Sequence, residues 1–250
     1  ARVSAWHDRT MRLVIRLVVN SVAIWLTSLL LSGVAAATPA ASAPPPSTAG
    51  PDAGVLAGPL AEQAVVWEAC TWPDLADLPP EQRDPYLAIL NLPGTQCASV
   101  TVPRDWHHPD DGHTLQVRVS RTSTADPARR QGLIMTNPGG PGGAGVMLAP
   151  LLAVSAPTVA GEFDFWGMDP RGIGESTRFT CEADTDPLTY EEAVTGCLDE
   201  ELAPFITTEQ TAYDLDLIRH LAGEEQLHYF GGSYGTWLGS WYQRVFPHHS

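Results

Sequence analysis

Apolar and polar residues form two kinds of pattern between residues 65 and 246 of this 250-residue chain. Residues 114–120 alternate between apolar and polar, which predicts a half-exposed strand, whereas the continuous apolar runs at 132–136 and 163–168 predict buried strands of the parallel kind. Three further short runs of strand-forming residues lie at 65–68, 98–103 and 227–230. The alternation of strands with helical segments predicts an α/β fold with a mostly parallel sheet flanked by helices.

Three segments have helical periodicity. Residues 146–158 predict a first helix, and Thr207 with Gln210 forms a capping-box pattern that opens a second one. In the second helix, Tyr213 begins an apolar face with i, i+4 spacing, which places Asp214 and Asp216 on the wetter side. The third helix is predicted over 234–246, because Pro247 ends it.

The amino-terminal region has the features of a targeting sequence. Residues 1–37, with a possible true start at Met11, combine a short basic region, an apolar run and an Ala-x-Ala site, as signal peptides do. Residues 38–64 are rich in proline and alanine and predict a linker, so that the folded part spans residues 65–250. An uncleaved membrane anchor is the alternative to a cleaved signal peptide.

Composition narrows the classes of function. All 14 basic residues are arginine, which excludes a P-loop lysine and a Schiff-base lysine, and the net charge of −15 argues against nucleic-acid binding. Four cysteines in an exported chain suggest two disulfides, and the short loops favour Cys70–Cys97 and Cys181–Cys197. Their spacing does not suggest a metal site, and no cofactor is expected.

The most informative stretch is Gly231-Gly232-Ser233-Tyr234-Gly235, a G-x-S-x-G motif between a predicted strand and a predicted helix. This is the context of a nucleophile elbow, in which a strained turn lifts the serine hydroxyl clear of the sheet. Strand and helix then pass close together, so Gly231 and Gly235 must lack side chains. The alternative is a glycine-rich turn that happens to contain a serine.

A second glycine-rich stretch, residues 137–145, follows the predicted strand at 132–136. It could be the oxyanion loop of a hydrolase, a dinucleotide-binding loop or a plain connection. The dinucleotide interpretation uses Gly140-x-Gly142-x-x-Gly145 with Asp164 or Asp169 as the acidic partner, but the prolines remove N–H groups that a pyrophosphate needs. The oxyanion loop is favoured because it also accounts for Ser233.

Asp169 and Arg171 follow the strand at 163–168. They are expected to pair with neighbouring groups and brace the loops around the site, with a substrate clamp as the alternative.

With these residues in place, residues 65–250 resemble the secreted bacterial tripeptidyl aminopeptidases, in the proline iminopeptidase-like branch of the α/β hydrolases. Four blocks carry the resemblance: 97–106, 137–142, 169–176 and 231–236. The resemblance implies an α/β-hydrolase fold, Ser233 as nucleophile, and backbone N–H groups of Gly140 and Tyr234 in the oxyanion hole. It also implies a secreted enzyme that releases short peptides from free amino termini, without stable membrane association after signal cleavage.

The chain departs from this family in one respect. Triads of this fold run Ser, then Asp or Glu, then His, but no acidic residue follows Ser233, and the later histidines, His248 and His249, lie just past the elbow helix. The expectation is therefore an amino-terminal fragment, truncated after that helix, and the earlier histidines are expected to be surface or packing residues. An esterase or lipase acting on a small ester, or a non-catalytic binding module of this fold, remain alternatives to the peptidase.

Overall fold

The computed structural model describes residues 51–180, 196–197 and 201–250. Within these residues the strands are Thr95–Pro103 (β1), Thr114–Thr122 (β2), Gly132–Asn137 (β3), Phe163–Met168 (β4) and His228–Gly231 (β5). The α-helices are Ala53–Leu56 (α1), Pro80–Leu90 (α2), Leu148–Ser155 (α3), Pro157–Ala160 (α4), Thr208–Leu221 (α5) and Tyr234–Val245 (α6). Among the described helices, none combines the length and the apolar character needed to cross a membrane.

The described strands form one sheet in the order β1-β2-β4-β3-β5. β1 pairs with β2, and β2 with β4, in antiparallel fashion, whereas β3 lies between β4 and β5 and is parallel to both. The described sheet is therefore mixed: β4, β3 and β5 form the predicted parallel part, and β1 and β2 add antiparallel strands at one edge. The β1–β2 pair is antiparallel because the connection between these strands is too short for the crossover that a parallel pair needs.

The core is continuous from the sheet to the helices. Alternate residues of β3, Leu133 and Met135, are fully buried, as is Met168 at the end of β4. Helix α3 packs against β2, β3 and β4, while α6 packs against β5 and α5. The predicted helix over 146–158 divides into α3 and α4 because Pro157 forces the preceding Ala156 out of the helical conformation.

The folded part begins earlier than the composition indicates. Asp52 caps α1, Ala53 is completely buried, and the Ala53 amide donates to the Asp216 carboxylate at 3.0 Å. The small residues of this segment allow its backbone to approach α5 closely. Residues 51–64 thus belong to the packed domain, although their proline- and alanine-rich composition predicts a linker.

Two further expectations have different outcomes. The predicted strand at 65–68 is reduced to a single bridge between Glu68 and Cys97. Next to it, Cys70 and Cys97 form the predicted disulfide, which encloses α2. The second predicted bridge, Cys181–Cys197, involves a cysteine outside the described residues and stays a prediction.

Candidate active site

Ser233 lies between the last residue of β5, Gly231, and the first residue of α6, Tyr234. Its backbone has φ 50° and ψ −123°, and it is the sole non-glycine residue with positive φ in the described part of the chain. A side chain in this region of conformational space is strained, and the surrounding fold must hold it there. The residue is exposed. The predicted strand–turn–helix context of the serine is thus confirmed.

The flanking glycines are required by close approach of the backbone. A Cβ atom on Gly231 would lie 2.4 Å from the Gly235 carbonyl oxygen, and one on Gly235 would lie 2.7 Å from the Asn137 carbonyl oxygen. Both distances are shorter than any tolerable carbon–oxygen contact. The prediction that these two positions must lack side chains is therefore confirmed.

The glycine-rich stretch 137–145 lies directly against the elbow. A Cβ atom on Gly139, whose φ is +92°, would lie 2.2 Å from the Gly232 carbonyl oxygen and 2.9 Å from the Tyr234 nitrogen. Gly140, the next residue, is exposed. Among the described residues, neither the Gly140 nor the Tyr234 N–H donates a hydrogen bond. Two unpaired backbone donors on adjacent segments beside a serine could bind a negatively charged oxygen.

Asp169 holds the far end of this loop. Its Oδ1 accepts hydrogen bonds from the Gly145 and Val146 amides at 2.7 and 3.0 Å, and its Oδ2 accepts one from Glu175 at 2.9 Å. The side chain is buried, and burial raises its pKa although the three N–H donors oppose that shift. Asp169 thus braces the loop, as expected. Asp164 likewise accepts hydrogen bonds from the Thr124 amide and from the Arg130 guanidinium. Both carboxylates that the dinucleotide interpretation assigned to a ribose are therefore hydrogen-bonded within the protein.

Arg171 and Asp214 form a buried ion pair beneath the loops. The guanidinium donates two hydrogen bonds to the carboxylate, at 2.6 and 2.7 Å, and both side chains are completely buried. Arg171 also donates to main-chain carbonyl groups of Pro103 and Arg104. Arg171 therefore braces the loops, and the substrate-clamp alternative does not fit a guanidinium without exposed surface.

The prediction that Asp214 and Asp216 lie on the wetter side of their helix was wrong, because both are completely buried.

Only one of the two hydrogen bonds of the predicted capping box forms at the start of this helix. Thr207 accepts the Gln210 amide at 3.2 Å, but the Gln210 side chain turns away to the Trp106 amide and to Asp105. These partners lie over a hundred positions earlier in the sequence, so no local pattern announces them.

The histidines do not meet the serine within the described residues, where no imidazole hydrogen-bonds to Ser233. His249 is 2.8 Å from Asp216, but it lies beyond the carboxyl end of α6. The 12 residues of α6 separate this pair from the elbow, a helix length of about 18 Å at 1.5 Å per residue. His108 pairs with Asp105 on the surface, and this contact raises its pKa.

Sequence reasoning missed two contacts around the elbow. The Tyr234 hydroxyl is 2.8 Å from Thr208 Oγ1, which ties the start of α6 to the start of α5. Asn137 Oδ1 accepts the Gly139 amide at 2.9 Å. The second contact could have been found, because Asn-Pro-Gly is a turn signal in which the asparagine bonds to the amide two residues on. The first joins residues 26 positions apart and has no local signal.

Comparisons with known proteins agree with this geometry. Residues 132–249 match the model of the family described as alpha/beta hydrolase fold. The chain is 35% identical to a tripeptidyl aminopeptidase of Streptomyces coelicolor, over 79% of this chain and 38% of the relative. It is 30% identical to the serine protease Hip1 of Mycobacterium tuberculosis, over 77% of this chain and 39% of that protein.

A third relative has a different named activity. Carboxylesterase B of Mycobacterium tuberculosis is 29% identical over 76% of this chain and 38% of its own length. The chain thus spans less than two fifths of the length of the curated relatives it matches.

Proposed function

We propose that this chain, which has the α/β-hydrolase fold, supplies the nucleophile and the oxyanion hole of a serine exopeptidase. The observation that carries the proposal is the strained, exposed backbone of Ser233 at the junction of β5 and α6. Strain of this kind persists only where the surrounding structure enforces it, and such residues cluster at active sites. In this proposal, Ser233 forms the acyl-enzyme.

The chemistry follows from the positions of the groups. Ser233 Oγ attacks the scissile carbonyl carbon, and the negative charge that develops on the oxygen is bound by the Gly140 and Tyr234 amides. Helix α6 begins at Tyr234, so its positive end points at the same oxygen. Both donors are held by the fold before substrate arrives, and they need no reorganisation during the reaction.

The hydroxyl needs a base to become nucleophilic. We place the triad histidine and its carboxylate outside the described residues, because no described imidazole reaches Ser233. The His249–Asp216 pair is excluded from this role by its place beyond the other end of α6.

The proposed substrate is a short peptide with a free amino terminus. The tripeptidyl aminopeptidase and the serine protease among the relatives support peptide cleavage. The net charge of −15 is compatible with attraction of a cationic amino terminus. A secreted esterase is the second candidate, because a carboxylesterase is among the relatives and an elbow serves ester and amide substrates alike. A binding module without catalysis is the third.

Export completes the proposal. The apolar run and Ala-x-Ala site within residues 1–37 support a signal peptide, and the Cys70–Cys97 disulfide is typical of proteins in oxidising compartments. We propose a secreted enzyme that is not retained at the membrane after cleavage. Uncleaved anchoring is the alternative.

The test uses the full-length protein and its Ser233→Ala variant. We expect the variant to lose on the order of 10⁶-fold in kcat on a tripeptide anilide, as when a triad nucleophile is removed. The matched control is Ser240→Ala, because Ser240 is an exposed serine on the same helix that bonds to the Thr236 carbonyl. It should keep wild-type activity. Turnover by Ser233→Ala at the wild-type rate would overturn the proposal.

The substrate class needs its own comparison. The exopeptidase predicts that tripeptide anilides with a free amino terminus are cleaved and that their acetylated forms are not. Hydrolysis of p-nitrophenyl esters without any anilide cleavage would establish the esterase instead. If the wild-type protein neither turns over substrate nor is labelled at Ser233 by an organophosphonate probe, the binding module is correct.

A further inference from the structure

Asn137 ends β3 and begins the glycine-rich loop, and it is 1% exposed. Its main-chain carbonyl accepts the Gly232 amide at 3.0 Å, and its side-chain Oδ1 accepts the Gly139 amide at 2.9 Å. Gly232 lies directly before Ser233, and Gly139 lies directly before Gly140. One residue therefore bonds to both segments that carry the proposed oxyanion donors.

Beyond Asn137, sheet pairing no longer holds these segments together. The parallel pairing of β3 with β5 stops at Asn137 opposite Gly231. Pro138 follows and has no N–H, so the Gly139 amide is the first donor that the loop can offer. The Asn137 carbonyl is already used by Gly232, and its Oδ1 is the acceptor that remains for this amide.

The other half of the Asn137 amide gives a second argument. Its Nδ2 is buried, and in the described part of the protein it has no hydrogen-bond partner. A buried, unpaired donor lowers stability, by roughly 1–3 kcal/mol. An apolar residue of the same size would avoid that cost but would lose the acceptor. What the asparagine provides here is Oδ1.

We infer that Asn137 is a positioning residue for the oxyanion hole, an inference that rests on the proposed function. Its Oδ1 fixes the turn at Pro138–Gly139 and so sets the direction of the Gly140 N–H relative to the Tyr234 N–H. Asn137 does not touch the substrate. It acts through the geometry of two donors that must converge on one oxygen atom.

The consequence is an effect on the transition state rather than on substrate binding. The donors bind an oxyanion that exists during the reaction, so loss of the turn lowers kcat and leaves KM nearly unchanged. A displacement of about 1 Å in such a site can cost about 10²-fold in rate. The affinity for a tetrahedral mimic should fall by the same factor as kcat/KM.

The test compares Asn137→Ala with Asn137→Ser in the full-length protein. The two residues are of nearly equal size and leave similar cavities, but a serine hydroxyl can accept the amide two residues on, more weakly than asparagine. We expect kcat on a tripeptide anilide to fall by about 10- to 100-fold for Asn137→Ala. Asn137→Ser should recover a large part of that loss. KM should stay within about twofold in both variants, since substrate binding is not affected.

A peptide boronic acid, which forms a tetrahedral adduct with the serine, gives the second readout. Its inhibition constant should rise in proportion to the loss of kcat/KM, more for Asn137→Ala than for Asn137→Ser. Equal losses in the two variants, or an unchanged inhibition constant, would overturn the inference, because packing alone would then account for the residue. If neither variant folds, the isosteric pair Asn137→Asp and Asn137→Leu makes the same comparison, with the acceptor kept in the first.

Ser233→Ala, measured in parallel, separates this inference from the proposed function. If Ser233→Ala is active, the proposed function fails and the oxyanion hole with it. If Ser233→Ala is inactive while both Asn137 variants match the wild type, the nucleophile stands and the inference about Asn137 alone fails.

Discussion

The elbow at Ser233 and the buried carboxylates of α5 are built in opposite ways. At the elbow, glycines and main-chain groups define the geometry, and the serine side chain is exposed. On α5, Asp214 and Asp216 are completely buried, and charged or polar side chains surround each of them. The difference shows how the molecule separates two requirements. The reactive group stays accessible because backbone geometry positions it, while ion pairs elsewhere hold the framework.

The two carboxylates of α5 connect different parts of the chain. Asp214 binds Arg171 and the Trp106 indole, which draws the loops after β1 and β4 onto the helix. Asp216 binds Arg219 and Tyr242, as well as the amide of Ala53. Together they join the first described helix, the middle loops and the last helix to a single element.

The largest effect on the framework should come from Arg171→Met. Removing one partner of a buried ion pair leaves the other charge uncompensated, which costs about 3–5 kcal/mol. We expect the free energy of unfolding in urea to fall by that amount. If the framework and the reactive group are positioned separately, the protein that remains folded should keep its kcat, because Arg171 has no contact with Ser233 within the described residues.

Two controls accompany this variant. Arg129→Met breaks an exposed pair with Glu162, in which the arginine side chain is 60% exposed, and should cost less than about 1 kcal/mol. Arg171→Met combined with Asp214→Leu should recover part of the stability, since no lone buried charge remains. A single variant as stable as the wild type would mean that the pair does not hold the framework.

Gly139→Ala should instead lower the activity. Its new Cβ would overlap the Gly232 carbonyl oxygen at 2.2 Å, so the loop and the elbow must move apart. Loss of an oxyanion donor costs about 10²- to 10³-fold in kcat. Gly112→Ala is the matched control, because Gly112 also has positive φ, +81°, but no atom within 4 Å of the added Cβ. Both variants share the backbone strain, and activity should fall in Gly139→Ala alone. Equal activities would show that the loop is not part of the site.

The contrast between the elbow and the α5 framework also explains which features the sequence could predict. The elbow was predictable because strand, turn and helix are adjacent, and because the close approach of Gly231 to the Gly235 carbonyl lies within the motif itself. The Cys70–Cys97 disulfide was predictable for a similar reason, since it closes a short loop. The match of residues 132–249 to the family model includes the elbow.

The framework was not predictable because its partners are far apart in sequence. Helical periodicity assigns Asp214 and Asp216 to a polar face, since charged residues are rarely buried without a partner. The partners that reverse this assignment, Arg171 and Ala53, lie 43 and 163 residues earlier. The packing of residues 51–64 was missed for the same reason, because its determinant is a carboxylate on α5 and not its own composition.

The smallest expected effect is a pH-dependent loss of stability at Asp216 on α5. The pKa of Asp216 is lowered in the folded protein, because burial, which would raise it, is outweighed by the Arg219 guanidinium and by hydrogen bonds from the Ala53 amide and His249. A carboxyl group with a lowered folded pKa contributes stability above its unfolded pKa of about 3.9, and this contribution is lost as the pH falls through the folded value. Asp216→Asn should therefore reduce the free energy of unfolding at pH 7, by about 1–3 kcal/mol, since hydrogen bonds to a charged group are lost.

As the pH falls below about 4 and through the lowered folded pKa of Asp216, the stability difference between the variant and the wild type should shrink, because protonation removes the same charge from the wild type. Urea unfolding at pH 7 and between about pH 4 and 2 measures both limits. Asp77→Asn, at an exposed carboxyl group, is the control that should change neither. If the stability difference between Asp216→Asn and the wild type stays constant down to the lowest pH, charge is not what Asp216 contributes. The difference would then come from hydrogen bonding, because asparagine replaces one carboxylate oxygen, which accepts hydrogen bonds, with an NH2 group, which only donates them.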